Sequence, residues 1–115
     1  MGSAVKVSMP AEFELHAARA ARFLKLLANE HRLLVLCHLL TAGECSVNVL
    51  VEQVGLSQSA LSQHLARLRE DEFVTFRRES QTLFYRISDP RAVQVLAVLR
   101  ELFCPAMSSR KEMRK

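Results

Sequence analysis

Few residues in this chain could do covalent or metal chemistry: three cysteines, Cys37, Cys45 and Cys104, and four histidines, His16, His31, His38 and His64. The thiolate is the form of cysteine that attacks electrophiles and binds soft metals. No two histidines stand four residues apart on one predicted helix, so no helical histidine pair for a metal is indicated. His31 and His38 read as structural or solvated. Cys37 falls inside a predicted helix and gains little from its dipole. Cys104 falls at a helix C-terminus, where the dipole disfavours negative charge. Cys45 stands just ahead of a predicted helix cap, so by dipole alone it should be the most acidic of the three. Three is an odd number, which argues against a structural disulfide framework. Each cysteine alone also reads as a small buried hydrophobe.

A second kind of chemistry, hydrogen bonding to a polyanion, is written into Ser46 to Arg69, SVNVLVEQVGLSQSALSQHLARLR. This stretch reads as two short helices joined by a tight turn. Val47, Leu50, Val51 and Val54 make one apolar helical stripe. Gly55 can take the positive φ that stops the first helix, and Ser57 can cap the second. In the second helix Leu61, Leu65 and Leu68 point inward. Gln58, Ser59, Ser62, Gln63 and Arg67 fall largely on the opposite face, which is almost free of acid until Glu70. Such side chains can hydrogen-bond base edges and phosphates in a major groove. An ordinary helical hairpin with a solvated polar face is the plainer reading of this stretch alone.

The flanking elements favour the first reading. Ala11 to about Ala28 is predicted helical, with Phe13, Ala17, Ala20, Leu24 and Leu27 in a stripe suited to core packing or to a dimer arm. Asn29 to Thr41 is a second helix. Leu33, Leu34, Leu36, Leu39 and Leu40 wrap most of it, so it should be buried. After about Asp71 the period changes from helical to alternating. Phe73–Arg78 and Leu83–Ser88 read as two strands joined by Glu79–Thr82, a β-hairpin wing directly behind the second helix of the pair. Arg77 and Arg78 stand beside its tip, where phosphate or minor-groove contact is expected in preference to a merely solvated edge. Asp89-Pro90 starts a last helix, to about Phe103. Its apolar residues surround it nearly completely. A chain of 115 residues cannot easily cover its own terminal helix on both sides, so a homodimer through the first and last helices is expected.

The fold class predicted is mainly α with a β-hairpin wing, a winged helix-turn-helix. One domain spans residues 11–105, with a disordered N-terminus at 1–10 and a basic flexible tail at 106–115. The net charge of +4 is weak evidence for nucleic acid, because Arg110 to Lys115 already carry +3 of it. No apolar run is long enough to span a membrane. The N-terminus lacks a signal-peptide apolar stretch. A cytoplasmic location with reduced cysteines is therefore expected.

This order of elements resembles the ArsR/SmtB family of bacterial repressors. The resemblance is carried by LANEHRLLVLCHLL (Leu27–Leu40), GLSQSALSQHLARLRE (Gly55–Glu70) and LFYRISD (Leu83–Asp89), and covers about Phe13 to Cys104. It implies a homodimer on double-stranded operator DNA, with half-sites about one helical turn apart. It also implies an inducer that releases the DNA, and no catalysis. The rival class, a small thiol enzyme, would need an activating His or Arg beside Cys37, and none is evident in the sequence.

The family's two common metal sites are missing here. In the cysteine site before the turn, the ligand positions fall on Ser46 and Asn48, with Cys45 one residue out of register. In the site on the last helix Asp89 matches, but Arg91, Leu102 and Pro105 stand where the other ligands should be. No metal and no cofactor is therefore expected. Cys37 and Cys104 match the sulfide-responsive, BigR/SqrR-type branch, through LANEHRLLVLC and ELFC. That resemblance implies persulfide sensing by an intrasubunit polysulfide link. Metal sensing and a disulfide-based oxidant sensor are the alternatives.

Overall fold

The computed structural model describes residues 11–104. The expectations for residues 1–10 and for the tail at 106–115 lie outside the described residues.

Five helices and three short strands follow one another as α1 (Ala11–Leu27), α2 (Glu30–Ala42), β1 (Cys45–Ser46), α3 (Val47–Val54), α4 (Gln58–Glu70), β2 (Val74–Glu79), β3 (Thr82–Ile87) and α5 (Pro90–Phe103). Side-chain caps set most of the starts. Asn29 accepts from the Arg32 amide, Ser46 from Val49, Ser57 from Ala60 and Asp89 from Arg91, each satisfying an otherwise orphaned helical N–H. Gly55 ends α3 at φ 80°, in the left-handed region, and its N–H reaches the Val51 carbonyl. The turn to Ser57 then needs only Leu56 between.

The strands form one antiparallel sheet in the order β1-β3-β2. The wing pairs Val74 with Ile87 and Glu79 with Thr82, so its link is only Ser80-Gln81. This is shorter than the four-residue link expected from the sequence. Ser80 takes φ 59° to close it, as tight hairpin turns require. The strand β1, which pairs Cys45 with Tyr85 and Ser46 with Phe84, was not expected. Two residues are too few to show an alternating pattern.

The core gathers Val35, Leu36 and Leu39 of α2, Leu50 of α3, Leu61, Leu65 and Leu68 of α4, and Leu96 of α5. Each fully buried leucine contributes about 1.5–3 kcal/mol, so this cluster fixes how α4 and the wing are presented. Aromatic pairs extend it: Phe76 stacks tilted on Tyr85 across the wing at 5.3 Å, and Phe23 of α1 meets Phe73 at 4.9 Å.

Two expected apolar faces stay outside this core. In α1 only Leu26 and Leu27 are buried, while Phe13, Leu15 and Leu24 are exposed. In α5 Ala92 and Leu96 are buried, while Leu102 and Phe103 are 67% and 76% exposed. The second helix is also less enclosed than its leucines suggest, since Leu34 is exposed.

Candidate nucleic-acid interface and thiol pair

The polar face of α4 is presented as its sequence spacing requires. Leu61, Leu65 and Leu68 are buried, and this forces Gln58, Ser59, Ser62, Gln63 and Arg67 to the outside, where all five are exposed. Ser57 is exposed too, and its Oγ accepts from the Ala60 amide at 3.1 Å. Its hydroxyl proton remains available to an acceptor such as phosphate. A groove of about 600 Å³ runs between α4 and the wing, with Gln58, Ser62 and Arg69 on one wall and Gln81 and Thr82 on the other. Arg69 lies over the Phe76 ring, 4.8 Å from its centroid, and so ties the helix to the wing.

The two wing arginines differ. Arg77 donates through Nε and Nη2 to both carboxylate oxygens of Glu44, at 2.8 and 3.1 Å, and through Nη1 to Glu79 at 3.2 Å. It also covers the Phe84 ring at 4.6 Å. Each of its three guanidinium nitrogens donates once within the chain, so three of the five N–H groups are engaged, and Glu44 is held below the usual carboxylate range by the Arg77 hydrogen bond. Arg78 is exposed and takes part in no ion pair among the described residues. Sequence spacing could not show this difference, because Glu44 is distant in the chain.

Away from that groove, a half-open cavity of about 610 Å³ lies between α2 and α5. Cys37 and Cys104 both line it, beside Leu33, Leu96, Leu99 and Phe103, with Thr41, His38 and Arg100 as its polar groups. Both thiols are free. Cys37 is half-buried, and burial pushes its thiol above the ordinary value. The neighbouring Cys104 adds to that rise and the Arg100 charge opposes it. Cys104 is exposed and caps the end of α5, its N–H donating to the Arg100 carbonyl at 2.8 Å. Arg100 therefore stands near Cys37, and His38, the next residue in the chain, lines the same cavity, although no activating Arg or His is evident from the sequence. The available signal was spacing: Arg100 is one turn before Cys104, and Thr41 one turn after Cys37.

Cys45 corrects an expectation. It is buried in β1 at 8% exposure, and burial raises its thiol instead of the helix dipole lowering it. The reason is magnitude. A dipole contributes about 0.3–1 kcal/mol at an exposed helix end, and α3 is only eight residues long. Taking a charge out of water costs several times more.

The histidines also find company that the sequence did not indicate. His31 at the start of α2 and His64 of α4 have ring centroids 5.9 Å apart. His64 is pushed below its ordinary value by burial, then by Arg32 and His31. Among the described residues, no three of His, Cys, Asp and Glu gather in a way that could hold a metal ion.

Comparison with known proteins bears on the fold and its family. Residues 29–75 match the model of the family described as bacterial regulatory protein, arsR family. The transcriptional activator HlyU of Vibrio cholerae is 47% identical over 95 residues, covering 83% of this chain and 87% of that protein. The structure of reduced HlyU from Vibrio cholerae superposes with a TM-score of 0.78 at 46% identity, over 83% of this chain and 99% of that one. The transcriptional repressor BigR from Xylella fastidiosa superposes with a TM-score of 0.74 at 39% identity, over 84% and 98%.

Proposed function

The chain belongs to the arsR family of bacterial regulatory proteins and is a DNA-binding transcriptional regulator, and on that footing we propose that it is a homodimeric repressor released from its operator when persulfide links Cys37 to Cys104 within one subunit. The observation that carries this reading is the shared cavity: two free thiols on different helices open into one apolar space. The relatives support a DNA target, and their names include both an activator and a repressor. Repression needs only occupation of a promoter, and no further contact with polymerase.

On the DNA side, Gln58, Ser59, Ser62, Gln63 and Arg67 face the major groove, Ser57 and Arg78 hold phosphates, and Arg77 shapes the wing. On the sulfur side, each thiolate attacks the outer sulfur of a persulfide RSSH and expels RS⁻, leaving a protein persulfide. The perthiolate of one cysteine then attacks the inner sulfur of the other, expels hydrosulfide and leaves a three-sulfur link. A direct disulfide requires Cα atoms within roughly 7 Å and a fixed torsion. Each added sulfur extends the reach by roughly 2 Å. A pair held slightly beyond disulfide reach would therefore favour persulfide over peroxide.

The link would tie α2 to α5, whose exposed apolar residues suit the partner subunit, and so change the spacing of the two α4 helices. A loss of about 3 kcal/mol weakens binding more than a hundredfold. The test is intact and tryptic mass spectrometry after glutathione persulfide, with gel retardation on the upstream DNA in parallel. The expected product is an intrasubunit Cys37–Cys104 adduct heavier than a disulfide by one or two sulfurs, together with DNA release. Cys104→Ser should bind DNA and ignore persulfide. A retained response in that variant overturns the reading, and a plain disulfide formed with peroxide favours an oxidant sensor.

A further inference from the structure

Four side chains frame the contact between α2 and α5. Cys37 and Thr41 are one turn apart on α2, and Arg100 and Cys104 are one turn apart on α5. All four line the same cavity. The Arg100 Nη1 donates to Thr41 Oγ1 across it at 3.5 Å. That is a long contact, and Arg100 forms no salt bridge with a carboxylate among the described residues. It is half-buried and is the one Arg or Lys on the lining. His38 is the other nitrogenous group there.

An unpaired cation beside an apolar cavity acts on negative charge more strongly than it would in water. The sensing reaction carries a negative charge throughout. The Cys37 thiolate attacks the outer sulfur of RSSH, the S–S bond of the donor breaks, and RS⁻ leaves with the charge. The Cys37 persulfide, more acidic than its thiol, then gives up its proton and holds the charge as a perthiolate.

We propose that Arg100 is the positioning residue of the sulfur site, holding the negative charge on the Cys37 sulfur before and after transfer and drawing anionic reagents to it. This rests on the Cys37–Cys104 reading. The opposing effects on Cys37 agree with it: burial and Cys104 raise the thiol, and Arg100 is the group that lowers it. A purely structural Arg100, bonded only to Thr41, would leave the reactivity of Cys37 unchanged.

The experiment alkylates the full-length protein with iodoacetamide, which is neutral, and with iodoacetate, which is anionic, and reads each cysteine by peptide mass spectrometry. In Arg100→Gln, neutral-pH labelling of Cys37 by iodoacetamide should slow about five- to tenfold, with its pH midpoint moved upward. The iodoacetate-to-iodoacetamide ratio at Cys37 should fall, and Arg100→Lys should restore most of both. Cys45 in the same molecules, buried in the core, should stay nearly unlabelled in both proteins and so reports that the variant remains folded. In the unaltered protein the ratio at Cys37 should also fall as salt is raised from about 0.05 to about 1 M, which needs no variant. Equal ratios and equal pH midpoints in the unaltered protein and Arg100→Gln, or a ratio insensitive to salt, overturn the proposal. Absence of a Cys37–Cys104 adduct with persulfide would instead defeat the sensing reading, and the alkylation ratios would still report on Arg100.

Discussion

Arg77 and Glu44 form a two-point ion pair, at 2.8 and 3.1 Å, that fastens wing strand β2 to the loop ahead of β1. Its partner on the wing tip, Arg78, is exposed and unpaired among the described residues. The two adjacent arginines should therefore behave differently on DNA. Arg78→Ala should weaken binding uniformly over sequences and reduce the salt slope by about one. Arg77→Ala should leave the slope nearly unchanged. Glu44→Gln should raise it, because Arg77 then becomes available to a phosphate. Fluorescence anisotropy over a salt series measures all three, and equal slopes for the two alanine variants would refute the distinction.

His64 gives the fold an acid sensitivity with a defined sign. Its pKa is depressed in the folded chain by burial, by Arg32 and by His31, against 6.5 for the free group. The unfolded chain therefore binds the proton first, and stability rises with pH across that interval. The contribution is fully present above about pH 6.5 and declines as pH falls toward the folded pKa. Melting temperature should drop between about pH 7.5 and about pH 5.5, and His64→Gln should drop less. Parallel melting curves for the two proteins would show that His64 has no part in it.

The parts of this structure that local chemistry determines could be read from the sequence. Ser46, Ser57 and Asp89 cap the helices they precede, Gly55 takes its positive φ, and Leu61, Leu65 and Leu68 face the core. Polar residues opposite a buried stripe must be exposed, so the face of α4 followed directly. What could not be read depends on residues distant in the chain. Strand β1 exists because Tyr85 and Phe84 arrive beside it. Arg100 reaches the neighbourhood of Cys37 only when α5 packs on α2. The dipole at Cys45 can be inferred from sequence, whereas the burial that outweighs it has to be built by the whole fold.

The exposed apolar residues of α5 predict an association state. Leu102 is 67% exposed and Phe103 beside it 76% among the described residues. In a two-fold interface every substitution occurs twice. A buried leucine contributes about 1.5–3 kcal/mol, and burying a carboxylate in its place costs more. Leu102→Glu should weaken dimerisation by more than a hundredfold, with helix content unchanged. Sedimentation velocity at micromolar concentration would show a monomer, and affinity for a two-half-site operator should fall with it. A variant that remains dimeric would place the interface elsewhere.

Cys45 should be the least reactive thiol, although a helix start follows it. It is buried, its backbone pairs with Tyr85, and its thiol is raised by desolvation. Attack requires the thiolate and also access, and Cys45 is poor in both. Under native conditions iodoacetamide should label the exposed Cys104 first and Cys45 last. Cys45 should label quickly only once the chain is unfolded. Its stability role is apolar packing, so the two small replacements should differ. Cys45→Ala loses only the sulfur contacts. Cys45→Ser buries a hydroxyl in the apolar core cluster, at about 1–3 kcal/mol when no partner is found. Thermal melts should therefore rank Ala above Ser, and both variants should still release DNA with persulfide. Rapid native labelling of Cys45, or loss of the persulfide response in Cys45→Ala, would move this residue from the core into the sensing chemistry.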